Sequence, residues 1–215
     1  MSNLKAVIFD LEGVVIDTEP IWDEVAEIFL KRRGFPYDRE TLKPQTMGRS
    51  MSEGIRIWQT HYGFGGDLQE LSQERRTIAK ELLSVSLKFI PGFLEFHESI
   101  RGKYKTAIAT SLERLFLEPA IKSMSLDDLF EDHIYSIEDI GFIAKPNPDI
   151  YLFAARKIES SPLLSAGIED SPNGIEALRR AKMKSVGITT STTREKLASA
   201  NLVVDSFSEI DLNKL

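Results

Sequence analysis

Short, nearly continuous apolar runs mark the start of the chain, in Ala6-Val7-Ile8-Phe9-Asp10, and recur over 104–110, 134–135, 166–169, 185–189 and 202–204. Runs of this length without polar alternation suit strands buried on both faces, as parallel strands are. The stretches between them predict helices over 93–101, 113–123, 148–159, 173–182 and 193–199. Pro148 stands near the start of one, where a missing N–H costs little. Pro119 falls inside another, where it counts against a regular interior. Strands alternating with helices predict an α/β fold, a parallel sheet covered on both faces.

From Pro20 to about Lys88 the pattern changes. Charged amphipathic stretches over 21–33, 51–61 and 68–86 dominate, broken at Gly34-Phe35-Pro36 and Gly63-Phe64-Gly65-Gly66. This block predicts a helical insert whose charged faces are mostly solvated surface. The expected organisation is a core of residues 1–16 and 88–215 and an insert of 17–87. No internal repeat or low-complexity segment interrupts it.

Composition narrows the function classes. The chain has 215 residues, 42% of them hydrophobic, enough for one large domain or a core with a smaller insert. Its net charge of −6 comes from 27 basic and 33 acidic residues interspersed along the chain, which argues against a nucleic-acid partner. There is no cysteine, so disulfides, thiol nucleophiles and thiolate metal sites are excluded. The Met-Ser-Asn-Leu-Lys start has no signal-peptide character. No apolar run approaches the ~20 residues of a membrane helix. The expectation is a soluble, cytoplasmic protein with no membrane partner.

Parallel strands open their C-terminal ends on one crevice, so the residues at those ends belong together. The first strand delivers Asp10 and Glu12, with Gly13 allowing a sharp turn. The strand ending Ala109-Thr110-Ser111 delivers hydroxyls, Ala144-Lys145-Pro146-Asn147-Pro148-Asp149 a lysine, and Glu169-Asp170-Ser171-Pro172-Asn173-Gly174 two more acids. Alone, each has a plain reading: a turn acid, a helix cap, a surface cation, acids at a helix's positive end. Together they suit phosphoryl transfer. Asp10 and Asp170 can share Mg²⁺, which takes oxygen ligands. Lys145 and Thr110 can hold phosphate oxygens, Asp10 can attack phosphorus, and Glu12 can move the proton.

The ordered set resembles the haloacid dehalogenase (HAD) superfamily of phosphohydrolases, in the branch of β-phosphoglucomutase and small sugar-phosphate phosphatases. Phe9-Asp10-Leu11-Glu12-Gly13 is similar to the first motif, normally Asp-x-Asp-Gly, and Ala107-Ile108-Ala109-Thr110-Ser111 to the second. Lys145-Pro146-Asn147-Pro148-Asp149 is similar to the third and Gly167-Ile168-Glu169-Asp170-Ser171 to the fourth. The resemblance implies a Rossmann-like core with an inserted α-helical cap, and a monomer acting on a small phosphorylated metabolite. It implies Asp10 as nucleophile, and Mg²⁺ held by Asp10, Asp170 and the carbonyl of Glu12, with Glu169 beside the metal. Thr110 and Lys145 would hold the phosphoryl group, helped by Ser111. In Thr46-Met47-Gly48-Arg49-Ser50 it implies a cap loop facing the substrate, where Arg49 binds a second phosphate or sugar hydroxyl, or only pairs with a nearby Glu. Arg75 or Arg76 is a further candidate.

Two departures stand out. Glu12 replaces the usual second Asp and is longer by one methylene, ~1.3–1.5 Å; a general acid so displaced can lose ~10²-fold. Equally, the site can have adapted to Glu12, or hold a longer-lived phosphoenzyme. The mutase branch carries a cap histidine at a register that here falls on 20–22, where Trp22 cannot serve. A phosphatase is therefore favoured over a mutase, with a catalytically impaired phosphate-binding relative as the reading of another class.

Overall fold

The computed structural model describes residues 3–46 and 50–215. In chain order the elements are β1 (Ala6–Phe9), β2 (Ile16–Asp17), α1 (Glu19–Lys31), α2 (Arg39–Thr46), α3 (Met51–Tyr62), α4 (Leu68–Leu83), β3 (Lys88–Phe89), α5 (Phe93–Ile100), β4 (Lys105–Thr110), α6 (Arg114–Met124), α7 (Leu126–Phe130), β5 (Ile134–Ser136), α8 (Asp149–Lys157), β6 (Ser165–Glu169), α9 (Pro172–Arg180), β7 (Lys184–Ile188) and β8 (Leu202–Val204). The chain divides into two compact units, Met1–Thr18 with Lys88–Leu215, and Glu19–Leu87. Asp17 stays with the first unit because β2 pairs antiparallel with β3, Asp17 opposite Lys88.

In the first unit six parallel strands form a sheet in the order β5-β4-β1-β6-β7-β8. From central β1 the chain builds outward to β4 and β5, then crosses to β6, β7 and β8 on the other side. The C-terminal end of β1 therefore lies at a topological switch point, where open α/β sheets leave a crevice. β1 is buried throughout, and its side chains alternate between two packed faces. Ala6 and Ile8 join Ala107, Ala109, Ile150, Tyr151, Ala154 and Leu178 against α8 and α9. On the opposite face Phe9 meets Phe93 and Phe130, ring centroids 5.7 and 5.6 Å away. An apolar run with no alternation follows from burial on both sides.

α6 continues through Pro119; the carbonyl that loses its partner belongs to Leu115, on the exposed side of the helix. The helix expected over 193–199 is a single 3-10 turn, Arg194–Leu197.

The second unit is helical. α1 packs on α4, α4 on α3, and α3 on α2. Phe29, Leu42, Ile55, Trp58, Ile78 and Leu83 are buried in it. A capping box sets the start of α3: the Ser50 hydroxyl accepts from the Glu53 amide, and the Glu53 carboxylate accepts from the Ser50 amide at 2.9 Å. Most of its charges lie on the surface, where Glu74 pairs with Arg32 and Arg33. The Arg75 guanidinium lies over the Trp58 ring at 4.4 Å, and burial lowers its pKa to about 10. Among the described residues no helix is long and apolar enough to cross a membrane.

Candidate active site

The sheet register brings the first unit's candidate groups to one rim. Phe9 is level with Ile108 of β4 and Ile168 of β6. Asp10, Thr110, Glu169 and Asp170 thus follow directly from three adjacent strand ends, and all four are buried. After Asp10 the chain folds back tightly: the amides of Val15 and Ile16 donate to the Leu11 carbonyl and that of Gly13 to Ile16. Gly13 has φ +73°, and a Cβ there would lie 2.0 Å from Asp170 Oδ2. Glycine is required both by that backbone conformation and by the carboxylate against it.

Lys145 enters from the loop before α8 and is the cation of the cluster. Its Nζ donates to Asp10 Oδ1 at 2.6 Å and Glu169 Oε1 at 2.7 Å, and lies 3.1 Å from Tyr151 Oη and 3.3 Å from the Ala109 carbonyl. Asp10, Glu169 and Asp170 offer oxygens that all lie within 4.8 Å of one another. Glu169 Oε2 accepts from Ser171 Oγ at 3.0 Å and from the amides of Asp170 and Ser171.

Burial and charge crowding shape the electrostatics. Burial pushes the Asp10 carboxyl well above the usual carboxylate range; Lys145 opposes this, while Glu169 and Asp170 add to it. Asp170 is pushed up to about 7 by burial and by the Glu169 charge, against a hydrogen bond from Ser191. Burial alone would lower the Lys145 ammonium, but Asp10 and Glu169 outweigh it and hold its pKa above the ordinary value. Fully ionised, three carboxylates against one ammonium leave two negative charges in excess, the charge a divalent cation cancels. The donor set is all carboxylate oxygen, which fits a hard cation.

The remaining candidates divide. Glu12 is half-buried, and its Oε1 accepts from the Thr18 hydroxyl at 3.1 Å. Thr110 Oγ1 accepts from the Leu112 amide at 3.0 Å, which leaves its own proton to donate. Ser111 is exposed on the same rim. Gly48 and Arg49 lie outside the described residues. Sequence reasoning missed Tyr151, Thr18, Thr190 and Ser191. Tyr151 Oη donates to Glu169 at 2.6 Å, and Thr190 Oγ1 donates to the Gly13 carbonyl. A hydroxyl run at 189–193, just after a strand end, was the available signal for the last two.

This arrangement, acids at parallel strand ends around a switch point with one lysine reaching in from a loop, defines a phosphate-handling α/β hydrolase. The chain belongs to the haloacid dehalogenase-like hydrolase family, whose model matches residues 4–182. Hexitol phosphatase B of Escherichia coli O157:H7 is 27% identical over 217 residues, covering 99% of this chain and 97% of that protein. A phosphorylated carbohydrates phosphatase of Thermotoga maritima is 29% identical, covering 85% of this chain and 84% of that protein. Among solved structures, a putative β-phosphoglucomutase of Thermotoga maritima superposes with a TM-score of 0.81 at 28% identity, covering 94% of each chain. The expected family and α/β class hold, and with phosphatases among its relatives the chain is a phosphoric monoester hydrolase.

Proposed function

We propose that the chain is a Mg²⁺-dependent phosphatase of a small phosphorylated metabolite, a sugar phosphate, working through an aspartyl phosphate on Asp10. The observation that carries this reading is the buried strand-end cluster, three carboxylates within 4.8 Å joined to one lysine 2.6 Å from Asp10. Asp10 and Asp170, with the Glu12 carbonyl, would hold the metal, and Glu169 lies beside them. When bound, Mg²⁺ supplies the positive charge that offsets repulsion between these acids and a phosphate.

The chain's own residues supply the rest. Asp10 attacks phosphorus, forming an acyl phosphate on its carboxylate as the substrate's P–O bond breaks. Lys145 and the Thr110 hydroxyl donate to the phosphoryl oxygens as charge spreads over them. Glu12, tethered to Thr18, gives its proton to the leaving oxygen. It then takes one from the water that cleaves the acyl phosphate and frees the Asp10 carboxylate. The sugar-phosphate class draws support from the names of the hexitol and carbohydrate phosphatase relatives.

The test is phosphate release from a panel of phosphosugars, with and without EDTA, for the wild type and Asp10→Asn. Metal-dependent release that vanishes in the variant is expected. Failure of folded wild-type protein to turn over any member with Mg²⁺ sinks the reading. The mutase reading draws support from likeness to a putative β-phosphoglucomutase. Bisphosphate-primed interconversion of sugar 1- and 6-phosphates, outrunning net hydrolysis, would establish it instead.

A further inference from the structure

Tyr151 is fully buried in the core cluster beneath the sheet, yet carries a hydroxyl. A buried phenol needs partners, and this one finds both at the active site. It donates to Glu169 Oε1 at 2.6 Å and accepts from Lys145 Nζ at 3.1 Å. The direct bond from Lys145 to Glu169, at 2.7 Å, closes a ring of three hydrogen bonds.

The ring accounts for the freedom of two flexible side chains. An ammonium has three protons, and Asp10, Glu169 and Tyr151 are its nearest acceptors. Glu169 is held at both ends: Oε1 by Lys145 and Tyr151, Oε2 by Ser171 Oγ and two backbone amides. Its carboxyl group also lies so close over Gly174 that a Cβ there would fall 1.8 Å from Glu169 Cδ. Lysine is otherwise a mobile point charge on a four-carbon stem. Among the described residues, the hydroxyl is the one side-chain partner of this lysine that carries no charge of its own, so it positions without adding a net charge to the cluster.

We propose that Tyr151 is a positioning residue for phosphoryl transfer: its hydroxyl fixes the Lys145 ammonium against Glu169, so that the charge stays where the Asp10–phosphoryl transition state develops. This rests on the phosphatase reading above. Interactions tightened in the transition state govern kcat more than KM, and displacements of about 1 Å in such a site cost up to ~10²-fold.

Tyr151→Phe keeps the ring, which lies 4.8 Å from Lys145 Nζ, and removes only the oxygen. The expected result is a ~10–100-fold fall in kcat with KM within ~2-fold of wild type. Vanadate, a five-coordinate mimic of the transferring phosphoryl group, should bind more weakly by a similar factor in calorimetry, while inorganic phosphate binds as before. A structural role alone would shift thermal stability without separating vanadate from phosphate. Tyr151→Met, which fills the space but cannot donate, serves if the Phe variant does not fold. A kcat within ~2-fold of wild type, or equal weakening of vanadate and phosphate, overturns the proposal. If wild-type protein turns over no phosphosugar, the phosphatase reading fails by itself. The vanadate-to-phosphate comparison then still decides on Tyr151, with an unchanged ratio counting against it.

Discussion

Asp170 makes the metal-free protein sensitive to pH in a direction opposite to most carboxylates. Its pKa of about 7 stands against an ordinary 3.8, raised by burial first and by the Glu169 charge next. Between those values the native state holds a proton that the unfolded chain has released. The contribution of Asp170 to stability is therefore fully present below about pH 4 and is lost as pH rises through about 7. The gap between 3.8 and about 7, at about 1.36 kcal/mol per pH unit, comes to about 4 kcal/mol. Asp170→Asn removes the ionisation and keeps an oxygen to accept from Ser191. In EDTA at pH 8 the variant should be more stable than wild type by about 4 kcal/mol in urea unfolding, roughly 10 °C in melting temperature for a chain of this size. At pH 4 the two should nearly coincide.

Magnesium should erase that advantage. A cation that binds the ionised native cluster stabilises it by about 4 kcal/mol at a thousandfold excess over its dissociation constant. Wild type should gain this and Asp170→Asn should gain little. The decisive measurement is the four-way comparison of both proteins at pH 8, with EDTA and with Mg²⁺. An Asn variant no more stable than wild type in EDTA would refute the charge-crowding account of the site.

Three further outcomes follow from particular contacts. Glu12 Oε1 reaches the Thr18 hydroxyl at 3.1 Å, so Glu12→Asp, shorter by one methylene, should lose that tether and slow kcat by ~10–10²-fold; a faster Asp variant would mean that the site is not built around the longer acid. His97 is buried beside Phe93 and Phe130 with Nε2 unpartnered. Burial, aided by Arg101, holds its pKa below 6.5, so its share of stability is present above pH 6.5 and falls away in acid as the unfolded chain takes up the proton. His97→Phe should flatten the loss of urea stability between pH 6.5 and 4.5, and an unchanged acid slope would count against it. Gly174→Ala should displace the Glu169 carboxylate, costing ~1–3 kcal/mol of stability together with kcat, because its Cβ would fall 1.8 Å from Glu169 Cδ; near-wild-type kinetics would show that the Glu169 geometry is not needed.

Why Asp10 was legible and Tyr151 was not is a matter of what each residue's neighbours in sequence reveal. Asp10 ends a run whose every residue is apolar, and such a run has one physical cause, burial on both faces of a parallel sheet. Once strands and helices alternate, connection rules bring strand ends to a shared crevice, and Thr110, Glu169 and Asp170 follow without any knowledge of side-chain contacts. The β2–β3 pair has two residues per strand, too few for any period, and is made by a contact between residues over seventy apart in sequence. α2 buries only Leu42 and contains Pro44, so its helix has almost no apolar stripe to announce it. Tyr151 fails for a different reason. In α8 it occupies a core position beside Ile150, Ala154 and Ala155, and pattern alone assigns such a tyrosine to packing. Only the atom at its tip belongs to the site, joined to Lys145 and to a carboxylate eighteen residues away. Periodicity reports where a side chain's body goes. Where the polar end of a mostly apolar residue goes is decided by the fold, and here that end meets the Lys145 ammonium and the Glu169 carboxylate.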